Sequence, residues 1–235
     1  MEEIIRIRRI SIWIFFLPVI ILNICLFISV NYLIFENTIF VVDQLGRSAF
    51  TIPYIDGGVS ISRTARNYPT YLIFKPGMII TAFLLIKYWF ANNNMAQSIN
   101  NQKETNYKFL FFGVSSAIFL IAHSIFLGVN FEYDLYKFFR RFILLGFIVF
   151  EIIAQALLVI FLFKVKNKIL DFINKKVLIF KMILVALLSI VAIASLPILT
   201  SSGHTHFKHA LEWNYFIGVV SFYLLTFLFW KKRQA

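Results

Sequence analysis

Six long stretches of apolar residues set the strongest limit on what this chain can fold into. A helix that rises about 1.5 Å per residue needs about 20 apolar residues to cross the hydrocarbon core of a bilayer. The stretches are of about that length and cover residues 10–35, 71–91, 108–130, 141–163, 177–199 and 213–230. We therefore predict an all-α fold, a polytopic membrane protein whose single domain over residues 1–235 is a bundle of six transmembrane helices with a long first outer loop.

The composition excludes an ordinary water-soluble domain. Hydrophobic residues make up 60% of the chain and charged residues only 14%, whereas soluble domains average about 25% charged residues. The single cysteine, Cys25, has no partner for an intramolecular disulfide. The longest segment between predicted spans, residues 36–70, is too short for a separate soluble domain.

The placement of lysine and arginine predicts the orientation of the bundle. Cytoplasmic loops carry an excess of these residues, and most of the 23 in this chain fall on the side that holds both chain ends. We expect cytoplasmic termini and interpret the net charge of +12 as a topology signal that also attracts anionic lipids. Nucleic acid is not an expected partner, because no phosphate-reading fold accompanies the charge. The lack of an Asn-x-Ser/Thr motif favours a bacterial inner membrane over a eukaryotic endomembrane.

Two further patterns concern the edges of the spans. The four tryptophans, Trp13, Trp89, Trp213 and Trp230, fall toward the ends of the apolar stretches. Because an amphipathic indole prefers the headgroup layer, we expect them at the two membrane surfaces. The polar run 92–106 is expected to be a loop on the cytoplasmic side.

The first outer loop contains a turn and a short helix. Asp56-Gly57-Gly58 predicts the turn, and Ser60 or Ser62 is a suitable N-cap for a helix that follows it. That helix would end before Pro69.

Arg63 and Arg66 lie on one face of this predicted helix, on the side of the membrane where cations are otherwise few. One interpretation is that they bind the phosphate or carboxylate of a lipid headgroup, since the guanidinium fork fits both. The other is that they pair with Asp43 or Asp56 and hold the loop on the bundle. Both interpretations remain open at this point.

Polar side chains within the predicted spans are candidate functional groups, because they are costly in lipid. Ser116, His123 and Asn130 recur every seven residues along one stripe, and Glu151 and Gln155 share a face of the next span. From the predicted span ends, His123 and Glu151 have similar depths, so we expect them to meet. Such a pair is a candidate for catalysis as an acid/base couple, for a proton relay, or for a structural clamp between two helices.

Three of the four histidines lie just before the last span. His204, His206 and His209 are followed by Glu212, and their spacing along a helix is compatible with a metal site, for which zinc is the candidate ion. No cofactor is firmly implied, because the spacing matches no tight zinc motif. The alternative is that these histidines hydrogen-bond to headgroups or to the first outer loop.

Motifs in the first outer loop and at the start of the last span resemble those of a known superfamily. The chain resembles the damage-regulated autophagy modulators (DRAM) and the Golgi proteins that remodel GPI-anchor lipids. The residues that match are Pro53, Ser60, Ser62, Pro69, Phe74, Glu212 and Trp213. The resemblance implies a six-span protein concerned with membrane lipid handling, lipid asymmetry or trafficking. The chain differs from the animal members in lacking their loop cysteines.

A looser similarity is to the alkaline-ceramidase superfamily of zinc-dependent membrane hydrolases. That similarity implies a metal set built from His123, His206 and His209 with Asp43 or Asp56.

Three hypotheses for function follow. The first is recognition or handling of lipid headgroups at the outer leaflet, with membrane lipids as the partners. Its expected ligands are Asp56, Arg63, Arg66, His209 and Glu212. The second is a metal-assisted membrane lipid hydrolase or acyltransferase. The third is a proton-coupled transporter of small molecules that uses His123 and Glu151.

Overall fold

The structure is a computed structural model that describes residues 2–35, 38–39, 51–100, 107–129, 134–201 and 203–231. Its α-helices are α1 (Glu2–Val30), α2 (Pro53–Asp56), α3 (Ile61–Arg66), α4 (Thr70–Asn100), α5 (Lys108–Phe126), α6 (Asp134–Val165), α7 (Lys175–Thr200) and α8 (Thr205–Phe229). Short 3-10 turns cover Tyr32–Phe35 and Leu170–Phe172.

Six of these helices are long and apolar enough to cross a membrane, which confirms the predicted all-α bundle of six spans. The spanning parts are Glu2–Val30, Thr70–Asn100, Lys108–Phe126, Phe142–Val165, Lys175–Ser195 and Thr205–Phe229. Because the chain reverses direction after each span, α3, the C-terminus of α5 and the N-terminus of α8 lie at one end of the bundle. We call this the loop end. The N-terminus of α1 and the C-terminus of α8 lie at the opposite, terminal end.

The spanning helices form a closed ring. Each one packs against the next in chain order, and α8 packs back against α1. Small residues allow the closest approaches between neighbours. At Gly113 of α5, an added Cβ would run into the indole ring of Trp89 on α4.

The tryptophans correct one prediction. Trp89, Trp213 and Trp230 are all less than 2% exposed and pack inside the bundle, and Trp13 alone of the four lies on the outer surface, at 57% exposure. Position near the end of an apolar stretch gave the right spans but could not tell whether a ring faces lipid or protein.

The predicted loop over residues 92–106 is also partly wrong. Helix α4 continues to Asn100, with Asn92 and Asn93 buried against the bundle. The side chain of Asn93 accepts a 2.9 Å hydrogen bond from the backbone N–H of Tyr107, so it caps the entry to α5. Polar residues lowered the hydropathy here without ending the helix. Residues 101–106 lie outside the described part of the chain.

At the loop end, α3 packs against α1, α4 and α8. The predicted N-cap is confirmed as Ser60, whose hydroxyl accepts a 3.2 Å hydrogen bond from the N–H of Arg63. The hydroxyl of Ser29 on α1 donates to the carbonyl of Thr64 at 3.3 Å. The first bond caps α3, and the second holds α3 on α1.

Candidate functional site

The turn after α2 is built around Asp56. Its carboxylate accepts hydrogen bonds from the hydroxyl of Thr51 at 2.7 Å and from the backbone N–H groups of Ile52 at 2.9 Å and Gly58 at 2.7 Å. Partial loss of hydration opposes ionisation, but these bonds together with nearby His206 hold the pKa of Asp56 below its ordinary value. The turn predicted at residues 56–58 is therefore confirmed.

The first residues of α8 grip the backbone of this loop. The Nδ1 atom of His206 lies 3.2 Å from the carbonyl oxygen of Asp56, and Nδ1 of His209 lies 3.0 Å from that of Gly57. The side chain of Asn214 donates to the carbonyl of Tyr54 at 2.6 Å. We call this set, which also includes Glu212 and Trp213, the α8 clamp. For His206 and His209, these bonds confirm the alternative in which the histidines hydrogen-bond to the first outer loop.

Glu212 and Trp213 complete the clamp on α3 and its approach. The Glu212 carboxylate accepts hydrogen bonds from the backbone N–H groups of Ile61 and Ser62. These belong to the first turn of α3, where N–H groups have no partner within the helix. The indole of Trp213 donates to the carbonyl of Val59 at 2.9 Å. Glu212 thus has a clear structural role, and its contact with lipid stays a prediction.

The metal hypothesis gains no support from this geometry. Over the described residues, no three His, Cys, Asp or Glu side chains come together as a group that could hold a metal ion. The third histidine, His204, is exposed at the N-cap of α8. Asp43, a candidate ligand and ion-pair partner, lies outside the described residues. Zinc therefore stays a prediction.

Three arginines converge at the loop end. Arg63 and Arg66 are exposed on α3, and the guanidinium of Arg140 on α6 lies over the ring of Tyr136, 5.9 Å from its centroid. Burial, and then repulsion from Arg63 and Arg140, lowers the pKa of Arg66. We call Arg63, Arg66 and Arg140 the arginine cluster.

Among the side chains that the structure describes, which do not include those of Glu36, Asp43, Glu132 and Asp134, the cluster has no carboxylate partner. Among the described residues, an ion pair is formed at the terminal end instead, between Arg6 and Glu3 at 3.9 Å. Asp56 is hydrogen-bonded within its own turn and pairs with neither Arg63 nor Arg66, so that ion-pair interpretation is wrong for Asp56.

A second constellation lies inside the bundle, around Glu151. This carboxyl group is 1% exposed and sits near the middle of the α6 span. Its Oε2 atom lies 2.6 Å from the hydroxyl oxygen of Ser116 on α5. Its Oε1 atom accepts a 2.9 Å bond from Nε2 of Gln155 and a bond from the hydroxyl of Tyr223 on α8. Nε2 of Gln155 also donates to the carbonyl of Val219 at 3.3 Å. We call these five residues the Glu151 centre.

The predicted contact between His123 and Glu151 is not formed. The partners of the Glu151 carboxyl are Ser116, Gln155 and Tyr223, whereas Arg140 is the charged neighbour of His123. The depth estimate failed because α6 begins at Asp134 rather than near residue 141. Glu151 therefore lies farther from the loop end and meets Ser116, on the same stripe as His123. Asn130, the third member of that stripe, lies outside the described residues.

Sequence reasoning missed Lys181, because a lysine near the end of an apolar run counts toward the cytoplasmic charge excess. Its side chain is 0% exposed. Nζ donates a 2.7 Å hydrogen bond to Oγ1 of Thr226 and lies 4.0 Å from the ring centroid of Phe222. The available signal was a single cation within the apolar run after Lys175-Lys176.

Two tyrosines connect Lys181 to the Glu151 centre. The hydroxyls of Tyr88 on α4 and Thr226 lie 3.2 Å apart. The ring of Tyr88 meets that of Tyr223 edge to face, with centroids 5.0 Å apart. Hydrogen bonds and this one ring contact thus link α5 and α6 to α7 through the interior of the bundle.

The fold and these two constellations define an integral membrane protein with a basic loop end and a buried acidic centre. Comparison of the chain with protein-family models, with curated proteins and with solved structures gives no match.

Proposed function

We propose that this integral membrane protein binds the phosphate of anionic lipid headgroups at its loop end. The observation that supports the proposal is that Arg63 and Arg140 both repel the charge of Arg66, and that none of the carboxylates whose side chains the structure describes pairs with the three arginines. Like charges held close together repel each other. A phosphate placed among them would replace this repulsion with charge-assisted hydrogen bonds, for which the guanidinium group is well suited.

The α8 clamp supports the proposal by holding the arginines in place. Glu212 binds the first turn of α3, and Ser60 caps the same helix. The backbone that carries Arg63 and Arg66 is therefore already ordered before a phosphate binds, which lowers the entropy cost of binding. In this proposal Asp56, His209 and Glu212 act as positioning residues for the loop rather than as ligands of the phosphate.

The resemblance to the DRAM superfamily enters as part of the same proposal, since it implies lipid handling. We also place the loop end at the outer leaflet of a bacterial inner membrane, with both termini in the cytoplasm. An even number of spans puts the two chain ends on one side. Removing the buried Lys181 from the charge comparison leaves the excess of lysine and arginine on that side.

Native mass spectrometry of protein released from anionic nanodiscs tests headgroup binding. We expect Arg63→Ala with Arg66→Ala to weaken binding of phosphatidylglycerol about tenfold, since loss of about 1.4 kcal/mol corresponds to that factor. The matched control is Arg9→Ala with Lys176→Ala, which removes two exposed cations from the terminal end. Equal lipid retention by the two double variants would show that the arginine cluster is not the site.

Orientation is tested separately with cysteines introduced at each end of the chain. The native Cys25 is buried and should not react. An impermeant maleimide should label introduced terminal cysteines only after the cells are opened. Labelling of the termini in intact cells would reverse the proposed orientation without bearing on headgroup binding.

A further inference from the structure

We propose that the Glu151 centre is a binding site for an exchangeable monovalent cation, a proton or Na⁺, inside the membrane. The inference is independent of headgroup binding, because it concerns a different set of residues at the middle of the bundle. It rests on the chemistry of the side chains around Glu151, on one buried acceptor without a partner, and on the number of hydrogens available.

The site is rich in oxygen atoms. It holds both carboxylate oxygens of Glu151, the hydroxyls of Ser116 and Tyr223 and the carbonyl of Val219, and the side-chain amide of Gln155 borders it through Nε2. Ser116, Glu151, Gln155 and Tyr223 are each at most 1% exposed. Hard cations such as Na⁺ and H⁺ bind oxygen ligands, and a shielded site strengthens that interaction.

One acceptor in this set is unused. The Oε1 atom of Gln155 is buried and has no hydrogen-bond partner in the described part of the chain. A buried polar atom left without a partner costs about 1 to 3 kcal/mol. Rotation of the amide exchanges its oxygen and nitrogen, so the same side chain can turn Oε1 toward a cation beside the carboxylate. This unsatisfied oxygen therefore indicates a bound ligand independently of the oxygen-rich lining described above.

The hydrogen count at Ser116 points the same way. Its hydroxyl oxygen lies 2.8 Å from the carbonyl of Gly113 and 2.6 Å from Oε2 of Glu151. A serine hydroxyl has one hydrogen and cannot donate to both acceptors. Both contacts become hydrogen bonds when Glu151 is protonated, because Oε2–H then donates to Ser116 and Ser116 donates to Gly113. When the proton leaves to solution, the Ser116 hydrogen turns to the carboxylate.

The charge balance selects a monovalent ion. Glu151 is the one charged side chain of α6 between Phe142 and Phe163, so a single positive charge neutralises the centre, whereas a divalent ion would leave net buried charge. The titratable side chains that interact with Glu151 from neighbouring helices are Tyr223 on α8, which donates to Oε1, and Tyr88 on α4. Lys181 is separated from Glu151 by Thr226 and the two tyrosines, so it is not a direct ion-pair partner.

Carbodiimide labelling of the purified wild-type protein tests the site. Dicyclohexylcarbodiimide enters apolar surroundings and adds to a carboxyl group only when that group carries its proton. Fragment mass spectrometry locates the adduct. We expect Glu151 to be labelled at acidic pH, and the yield to fall about tenfold per pH unit once the site ionises, as a single-proton titration requires.

A second series distinguishes the two cations. At a fixed pH within the titration range, chloride salts of Na⁺, K⁺ and choline are compared at equal concentration. Protection by Na⁺ alone supports a Na⁺ site in competition with protons. A pH-dependent yield that is the same in all three salts supports a proton site.

Two results would overturn the proposal. One is the absence of an adduct at Glu151 at every pH, since an exchanging site must open to a small uncharged reagent. The other is a yield that depends neither on pH nor on Na⁺. Glu151→Gln, which keeps the shape of the protonated group, is the control for assignment of the adduct. Ser116→Ala should shift the pH profile while leaving the labelled residue unchanged.

Discussion

The indole N–H of Trp213 donates a 2.9 Å hydrogen bond to the carbonyl oxygen of Val59, and thereby joins α8 to the segment that leads into α3. Trp213 is 0% exposed and meets the ring of Tyr54 edge to face, with centroids 5.0 Å apart. One side chain thus provides both packing and a directional bond to the first outer loop.

Trp213→Phe should lower the stability of the protein. The substitution keeps an aromatic ring but removes the N–H, which leaves the Val59 carbonyl without this donor. We expect a loss of about 1 to 2 kcal/mol in the free energy of unfolding. Thermal unfolding in detergent measures the effect. Trp13→Phe is the control because Trp13 is 57% exposed on the outer surface, and equal melting temperatures for the two variants would contradict the role given to Trp213.

Lys181 and Thr226 should respond differently to substitution. Replacing a buried charge by an apolar side chain of similar shape is often neutral or stabilising, whereas removing its partner is costly. Lys181→Met should therefore leave the unfolding free energy nearly unchanged or raise it. Thr226→Val should lower it by about 1 to 3 kcal/mol, because Nζ of Lys181 then loses its acceptor.

The double variant, Lys181→Met with Thr226→Val, should recover most of the loss caused by Thr226→Val alone. Denaturation of all four proteins under one set of conditions gives the coupling energy. Additive effects would mean that the 2.7 Å contact between Nζ and Oγ1 does not contribute to stability.

Gly57→Ala should disrupt the loop end. Gly57 adopts a left-handed conformation with φ of 59°, and a Cβ there would run into the backbone of His206. Gly203 also has positive φ, at 87°, but a Cβ at that position meets nothing within 4 Å. Alanine at either position would share the cost of a left-handed backbone, about 1 to 2 kcal/mol. The additional destabilisation of Gly57→Ala, measured by thermal unfolding, therefore reports the close approach of the loop to α8.

The sequence predicted the six spans because burial in lipid requires long apolar runs, and this requirement does not depend on how the helices meet. It also predicted the turn at Asp56 and the cap at Ser60, which depend on neighbouring residues alone. Contacts between helices were harder to predict. The partner of Glu151 depends on where α6 begins, and an error of seven residues at that end replaced Ser116 with His123.

Lys181 shows a second limit. A lysine near the end of an apolar run is compatible both with a cytoplasmic surface and with a buried position, and the charge excess favours the first. The direction of its side chain is set by Thr226 and Phe222 on α8, which are distant in sequence. The arginine cluster could not be predicted for the same reason, because Arg140 lies on a different helix, far in sequence from Arg63 and Arg66.

Asp56 should make the stability of the loop end depend on pH. Because its pKa is lower in the folded protein than in the unfolded chain, its contribution is present above the unfolded value of about 3.9 and is lost as the pH falls through the folded value. An asparagine at this position cannot ionise, so Asp56→Asn removes the pH-dependent contribution of the carboxylate to stability. The difference in melting temperature between the wild type and Asp56→Asn should therefore be constant near neutral pH and shrink on acidification below about pH 4. A difference that stays constant to lower pH would show that the carboxylate, with its bonds to Thr51, Ile52 and Gly58, is not what stabilises the turn.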